Sequence, residues 1–297
     1  MGAAPLASST HTPSPTQWVG RFDSEREVWR EIVLSAGQRP PRPNAFRFMR
    51  WDGVHAVEVV SDSSMSLLAR PITVDLNLTP VLCWRWRVDA TLRQADMRRR
   101  EGDDYAARVY VSFRLPPSSI SLSVRAQLAL ARVLWGQDLP DAALNYVWDH
   151  WAPAGTTQPN AYTDRAHMIV LRSGEAEAGR WVWERVDVRS DVTRHFGPGA
   201  HAAHAIQLAL GADTDNTGSK ARAGFADFHF VPATSQCASP TGASKPQHLA
   251  AQRQIGGQFA RAPGVAHRAA LENHRTVGER QGKIEVVVHD HDGYFVA

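Results

Sequence analysis

A short acidic run near residue 215 carries side chains that could bind a cation. Asp213, Asp215 and Asn216 fall within four positions, and Gly218 follows shortly after them. Calcium prefers carboxylate and carbonyl oxygens, often supplied by one tight loop. The run lacks the distal glutamate and following helix of an EF-hand, and Asp, Asn and Gly are equally typical of turns between strands. The sequence predicts a turn here, with a calcium site at Asp213, Asp215 and Asn216 as the alternative.

Charged residues on two alternating segments could line a ligand-binding groove. Asp103 and Asp104 precede "YAARVYVSFRL", where Arg108 lies opposite the apolar side, and Arg85 and Arg87 share the polar side of "VLCWRWRVD". Guanidinium and carboxylate groups beside aromatic rings suit sugar recognition. The acidic partners that such a sheet face could present are Asp104, Glu184 and Asp187. The alternative is a cross-strand lattice of salt bridges on a half-exposed sheet.

Tryptophans are the third signal. Trp148 and Trp151, in "YVWDHWAPAG", flank a loop and are candidates for an exposed platform on which a sugar ring could stack. Two other pairs share one side of their segments, which indicates buried packing. These pairs are Trp84 with Trp86 and Trp181 with Trp183.

Several enzyme signatures are missing from the sequence. It contains no glycine-rich phosphate loop, no G-x-S-x-G elbow and no H-E-x-x-H pair. Glu184 and Asp187 are three residues apart, so on a strand they would point to opposite faces. The absence of a local carboxylate pair favours a binding protein. The enzymatic alternative needs carboxylates that converge from separate loops, namely Asp103, Asp104, Asp213 and Asp215.

The elements that must position these residues are mostly strands. From residue 45 onward, short segments alternate with a period of two and are separated by Gly, Pro and Asp turns, which predicts an all-β, antiparallel sandwich of jelly-roll or lectin-like type. "FDSEREVWREIVL" predicts a short N-terminal helix, and "SSISLSVRAQLALARVLWG" predicts a helical insertion lying on the sandwich. We expect a disordered lead over 1–17, one domain over 18–233, and a low-complexity, mostly disordered tail over 234–297.

Composition narrows the class of protein. The net charge is +3 without a basic stripe, so no nucleic-acid partner is expected, and no apolar run approaches the length of a transmembrane segment. Cys83 lies in an apolar strand pattern and Cys237 in a Ser/Pro/Gly-rich segment, so we expect no disulfide framework. The N-terminus has no visible signal peptide.

Several stretches in register resemble the uncharacterised bacterial family known as domain of unknown function 3047, over about residues 18–231. They are "LCWRWRVD", "ADMRRREGDDYAARVYVSF", "LPDAALNYVW", "MIVLRSG", "WVWERVDVRSDVTRHFG" and "GADTDNTGSKARAGFADFHF". The family usually has Thr where this chain has Ala212. The resemblance implies an exported, periplasmic or envelope protein, and it implies no activity.

Together these patterns favour a non-catalytic, envelope-located binding module for a glycan or glycoconjugate. Its candidate ligand-binding residues are Arg85, Arg87, Asp104, Arg108, Trp148 and Trp151. A glycan-active lyase or hydrolase that uses loop carboxylates is the first alternative. A structural or protein-interaction module is the second.

Overall fold

The computed structural model describes residues 16–23, 28–33, 41–135 and 139–239, and two β-sheets dominate this part of the chain. The six-stranded sheet contains β1 (Gln17–Gly20), β3 (Ala45–Trp51), β4 (Val54–Asp62), β6 (Val81–Val88), β11 (Val182–Asp187) and β13 (Lys220–Val231). The seven-stranded sheet contains β2 (Arg30–Ile32), β5 (Met65–Asp75), β7 (Tyr105–Arg114), β8 (Ala142–Asp149), β9 (Thr157–Pro159), β10 (Ala166–Ser173) and β12 (His204–Asp213). The predicted β-sandwich is confirmed.

Some consecutive strands pair within one sheet, as β3 with β4 and β7 with β8 do, whereas others belong to different sheets. The first sheet runs β11-β6-β13-β4-β3, with β1 paired to the far half of β13, and the second runs β2-β5-β12-β7-β8-β10-β9. All pairs are antiparallel except β8 and β10, which are parallel. Consecutive strands β12 and β13 belong to different sheets, so the acidic turn between them crosses from one layer of the sandwich to the other.

The core lies between the sheets and follows the alternation of the sequence. Trp84 and Trp86 of β6 are fully buried there, and Trp84 packs against Tyr146 of β8 with ring centroids 5.7 Å apart. The alternate residues of β7, from Ala107 to Phe113, line the same core. The other side of β7 is buried as well, because Tyr110 packs in a second apolar cluster on the outer face of the seven-stranded sheet.

The predicted N-terminal helix is wrong at its C-terminal end. Arg30–Ile32 form strand β2, which pairs with Ala69 to Leu67 at the edge of β5. Trp29 is buried and packs against Phe22 at 5.1 Å between ring centroids. Edge pairing and burial of this tryptophan therefore override the helical period of the segment. Residues 24–27 and 34 of the predicted helix lie outside the described residues.

The helical insertion is present as α1 (Leu122–Trp135), and a second helix, α2 (Val188–Phe196), follows β11. The apolar side chains Leu122, Leu130 and Val133 of α1 are exposed, so these three do not lie on the sandwich as expected, whereas Val124 and Leu128 are half-buried. Within the described ranges, neither helix is long and apolar enough to cross a membrane.

A disulfide joins Cys83 to Cys237 and corrects the expectation that these cysteines do not pair. Cys83 lies on the outer side of β6, where it packs with Val81 and Val231. After β13 ends, a turn closed by the Ser235 N–H and the Pro232 carbonyl brings the chain back towards β6. A sequence separation of 154 residues hides this proximity in the sequence.

The predicted lead and tail fall mostly outside the described residues, and their boundaries stay predictions. Of the tail, residues 234–239 are described. Arg185 donates to the carbonyls of Ala233 and Ser235, at 2.7 and 3.3 Å. Together with the disulfide, these bonds hold the start of this segment against the six-stranded sheet.

Candidate functional site

An acidic cluster forms where the β6–β7 loop meets the β12–β13 turn. The antiparallel pairing of β7 with β12 places Tyr105 opposite Asp213, so the residues before β7 meet the residues after β12. One carboxylate oxygen from each of Asp104, Asp213 and Asp215 lies within 4.8 Å of the others. Asp103 adjoins Asp104, and all four carboxylates named as convergence candidates therefore come together at one end of the sandwich.

Arg108 is the buried cation of this cluster. Its side chain is 2 % exposed and forms an ion pair with Asp213 Oδ2. In the amide orientation that satisfies hydrogen bonding, Asn145 Oδ1 accepts from Arg108 Nη2 at 2.6 Å and Nε at 3.2 Å. The guanidinium also lies 4.9 Å from the ring centroid of Tyr105 and 5.0 Å from that of Tyr110. Every face of this guanidinium is therefore engaged inside the protein.

Two carboxylate oxygens of the cluster are buried without a hydrogen-bond donor, Asp213 Oδ1 and Asp103 Oδ1. Burial raises the pKa of Asp213 well above its usual value, the charge of Arg108 opposes this rise, and the proximity of the Asp215 and Asp104 carboxyl groups adds to it. Burial also raises the pKa of Asp103, again against the charge of Arg108. Carboxylates this close together resist simultaneous ionisation, so the cluster favours a bound positive charge.

Asp104 ties the acidic turn to the β6–β7 loop. Its carboxylate accepts from the backbone N–H groups of Asn216 and Thr217, at 3.2 and 2.7 Å, and from the Thr217 hydroxyl. Gly218 adopts a φ of +67°, which suits glycine, and the predicted turn is observed. The Asn216 side-chain amide donates to the Tyr162 hydroxyl at 3.3 Å.

An open cleft of about 570 Å³ lies along the same β6–β7 loop. Its second wall is the segment from the end of β8 to β9. The residues that line it are Arg93, Gln94, Ala95, Asp96, Met97, Arg98, Arg99, Asp149, Trp151, Ala152, Pro153, Thr156 and Gln158. Its volume falls within the usual range of ligand sites, although its lining is more polar than is typical of them.

Trp151 is the exposed aromatic side chain of the cleft. It is 67 % exposed, and its indole N–H donates to the Arg93 carbonyl at 2.9 Å. Its backbone N–H donates to Asp149 Oδ1 at 2.6 Å. The His150 ring stands edge-on to the indole with centroids 4.3 Å apart. Trp151 is thus a rigid platform with solvent above it.

The polar side chains of the other wall, Asp96, Arg98 and Arg99, hydrogen-bond to one another. Arg98 Nε and Nη2 donate to the two oxygens of Asp96, at 2.8 and 3.0 Å, and Arg99 Nε donates at 3.2 Å. Hydrogen bonds from Arg98 lower the pKa of Asp96 to about 2, so this carboxylate is ionised at neutral pH. Gln158 bonds to the Met97 carbonyl, which links the two walls of the cleft.

Several predicted site residues lie elsewhere. Arg85 and Arg87 are on the outer face of the six-stranded sheet, whereas Arg108 belongs to the other sheet, so these arginines do not form one face. Arg85 pairs with Asp227, and Arg87 pairs with Asp52 at 2.5 Å. They belong to a lattice of paired charges and tryptophans.

Other residues of the hypothetical charged face and platform are also separated. Trp148 is 1 % exposed and lies in the core, so it offers no stacking platform. Trp183 on β11, which the sequence pattern indicates as buried, is 39 % exposed. Glu184 lies inside the sandwich, bonded to Trp86 at 2.9 Å, and Asp187 caps α2 by accepting from Ser190 N at 2.9 Å.

Sequence reasoning missed several residues of both sites. Asp96 and Arg98 of the cleft lie in "ADMRRREGDD", which has no periodicity, and Gln158 lies in a separate short segment; the sequence indicates only that these residues are polar. Asn145 reaches Arg108 because β8 pairs with β7 in a register that places Asn145 opposite Tyr110. No sequence signal specifies that register.

These features define an all-β sandwich with a buried acidic cluster at one end and an open polar cleft along the same loop. The family described as "Protein of unknown function (DUF3047)" matches residues 27–229, and the chain belongs to this family. None of the curated proteins matches the chain.

Solved structures with a similar fold are distant in sequence. The xyloglucanase domain of NopAA from Sinorhizobium fredii, determined with cellobiose, is 12% identical, covers 75% of this chain and 100% of that chain, and has a TM-score of 0.36. The family 30 carbohydrate-binding module of a Clostridium thermocellum cellulosomal cellulase is 8% identical, covers 74% and 99%, and scores 0.35. A cellulase derived from Cel12A of Rhodothermus marinus is 14% identical, covers 72% and 98%, and scores 0.34. At these identities and TM-scores, the likenesses carry no argument about what this chain binds.

Proposed function

We propose that the protein is a non-catalytic binding module that holds a glycan or glycoconjugate in the cleft beside Trp151. The observation that carries this proposal is the exposed, immobilised indole on the wall of an open cleft. Trp151 is 67 % exposed, so its ring is accessible to a ligand in the cleft, and an aromatic ring is a suitable stacking surface for a sugar. Its position is fixed before binding, so little ordering entropy opposes a sugar ring that stacks on it.

The polar side of the cleft supplies the second half of sugar recognition. Hydroxyl groups of a sugar both donate and accept hydrogen bonds. The Asp96 carboxylate can accept from them, and the neighbouring Arg98 and Arg99 guanidiniums can donate to them. The Gln158 amide adds a further group of the same kind. Aromatic stacking combined with such planar hydrogen-bonding groups favours a glycan over a purely apolar ligand.

We also propose that the module works in the cell envelope, in an oxidising compartment. The Cys83–Cys237 disulfide supports this proposal, since structural disulfides persist in the periplasm and in secreted proteins and are rare in the cytosol of mesophiles. The protein as isolated from the envelope fraction would contain no free thiols, whereas a cytoplasmic protein would keep both thiols reduced.

A glycan-active lyase or hydrolase is the second candidate, and one observation favours it. Asp103, Asp104, Asp213 and Asp215 converge beside Arg108, as an acid/base site assembled from separate loops would require. Against it, Asp103, Asp104 and Asp213 are buried, and none of the four lines the cleft. A bound polysaccharide that is shortened during incubation, with new reducing or unsaturated ends, would favour the enzyme over the binding module.

The test of the binding proposal is a substitution of the platform with a matched control. The intact chain is screened by affinity electrophoresis against neutral and uronate-containing polysaccharides, and calorimetry then measures the affinity for a ligand that retards it. We expect Trp151→Ala to weaken binding by about tenfold or more, equivalent to about 1.4 kcal/mol, since a stacked aromatic ring is a typical hot spot. Trp183→Ala removes an exposed tryptophan from the other sheet and should leave binding unchanged.

Two results would count against the proposal. Equal binding by wild type and Trp151→Ala would place the ligand outside the cleft. Binding to none of the polysaccharides would favour the structural or protein-interaction module instead.

A further inference from the structure

We infer that Asp104, Asp213 and Asp215 form a calcium-binding site that joins the β6–β7 loop to the β12–β13 turn. The inference does not depend on the glycan proposal, because it concerns the buried cluster and not the cleft. It also changes the ligand set expected from the sequence, since Asp104 takes the place of Asn216.

The spacing of the three carboxylates fits one calcium ion. Calcium binds oxygen at about 2.3–2.6 Å, so two oxygens on opposite sides of the ion are about 4.8 Å apart. One oxygen from each of Asp104, Asp213 and Asp215 lies within 4.8 Å of the other two. Three carboxylate oxygens this close together can surround one cation, and the titration below compares calcium with magnesium.

A buried oxygen without a partner points to a ligand at this position. Asp213 is 3 % exposed, and its Oδ1 has no hydrogen-bond donor. Arg108 holds the other oxygen of the same carboxylate, which fixes the direction of the free one. A buried carboxylate oxygen left without a donor or a cation is unfavourable, so proteins rarely leave one. Asp104 and Asp215, the neighbours of Asp213 in the cluster, supply acceptors and not donors.

The charge balance leads to the same conclusion. The cluster brings the carboxyl groups of Asp104, Asp213 and Asp215 together with a single guanidinium, that of Arg108. A divalent cation would add positive charge to a cluster that has more acidic side chains than basic ones. The ligands are all carboxylate oxygens with no histidine or cysteine among them, and this donor set suits calcium rather than zinc.

The position of Asp215 gives the ion a way in and leaves room for water ligands. Asp215 is exposed, whereas Asp104 and Asp213 are buried, so the site is open on one side. Calcium takes six to eight oxygens, and solvent on the open side can complete its shell. The Asp104 carboxylate also accepts hydrogen bonds from the backbone N–H groups of Asn216 and Thr217. These bonds hold the β12–β13 turn against the β6–β7 loop.

The experiment is a calcium titration of the intact chain after removal of divalent ions with EDTA. Calorimetry should show saturable binding of one calcium per chain. Titration should extend to about 5 mM, above the roughly 10⁻⁴–10⁻³ M dissociation constants of extracellular calcium modules. At about 5 mM calcium, which is roughly 5- to 50-fold above such a Kd, we expect the melting temperature to rise by about 2–9 °C, because a ligand of the folded state stabilises it by mass action.

The variant Asp215→Asn tests the ligand set without threatening the fold, because this side chain is exposed. We expect it to weaken calcium binding by about tenfold or more. Asp62→Asn is the matched control: it removes an exposed aspartate that pairs with Lys220 at 2.9 Å outside the cluster, and it should bind calcium as the wild type does.

Three outcomes would overturn the inference. They are no binding heat and no change in melting temperature at about 5 mM calcium, equal calcium affinity in wild type and Asp215→Asn, and saturation by magnesium at lower concentration than by calcium. Because none of these assays uses a polysaccharide, they leave the test of the glycan proposal unaffected.

Discussion

Removal of the Cys83–Cys237 disulfide should destabilise the protein substantially. The bridge closes a loop with a sequence separation of 154 residues. The chain-entropy relation gives about 5 kcal/mol for a loop of that length, and measured losses for native disulfides are typically about 2–5 kcal/mol. For a domain of about 200 residues, 1 kcal/mol corresponds to about 2–4 °C, so we expect Cys237→Ser to lower the melting temperature by about 4–20 °C. Cys237 is the better site for substitution, because Cys83 is fully buried and a serine there would add a second defect.

The assay compares thermal melts of wild type and Cys237→Ser with and without a reductant. Reductant should lower the melting temperature of the wild type towards that of the variant and should leave the variant unchanged. The segment after β13 keeps a second attachment, since His229 Nε2 accepts from the Ala238 N–H at 2.8 Å, and this bond is present in both proteins. Two free thiols in denatured, unreduced protein made under oxidising conditions would refute the reasoning.

Three further predictions concern stability. Arg108→Ala leaves the buried Asp213 carboxylate without its counter-charge and should cost about 3–5 kcal/mol in the free energy of unfolding, measured by urea denaturation; a loss below about 1 kcal/mol would contradict the pairing. Burial and the adjacent His167 lower the pKa of His195 from 6.5 to about 4, so between these values the unfolded chain binds more protons than the folded one. Stability is therefore lost as pH falls through this window, and urea midpoints at pH 7 and pH 5 should show it, with a flatter response in His195→Phe. Gly211→Ala would place a Cβ 2.7 Å from a backbone oxygen of β5 and should cost about 1–3 kcal/mol, seen as a lower melting temperature.

The sandwich could be predicted because its cause is local. Each strand alternates, and the side of β6 that carries Trp84 and Trp86 is apolar throughout, so the pattern alone indicates which residues face the core. The same rule failed for Arg30–Ile32, where pairing with the edge of β5 decides the conformation. The prediction that Trp148 is exposed was wrong for a similar reason: the residue is next to a loop in the sequence, but in the structure it packs against Trp86.

The candidate sites could be predicted only in part, because sheet topology assembles them. The acidic turn and the Asp103–Asp104 pair were visible as residue types, but their meeting depends on β12 pairing with β7. The sequence also gave no reason to place Arg85 and Arg108 in different sheets, since both sit on the polar side of similar strands. Likewise, the pairing of Cys83 with Cys237 depends on a turn after β13 that the local sequence does not specify.

The two proposed sites share the β6–β7 loop, and backbone hydrogen bonds to the Gly102 carbonyl connect them. The Gly102 carbonyl accepts from the backbone N–H of Asp96, in the cleft, and from that of Asp104, in the acidic cluster, at 2.8 Å in each case. A side chain at Gly102 would lie 2.7 Å from the Asp96 nitrogen, so only glycine permits this closure. If an ion at Asp104 tightens this loop, calcium should raise the glycan affinity, and glycan should raise the calcium affinity by the same factor. Calorimetry of each ligand with and without the other measures this factor, and a factor of one would show that the two sites are independent.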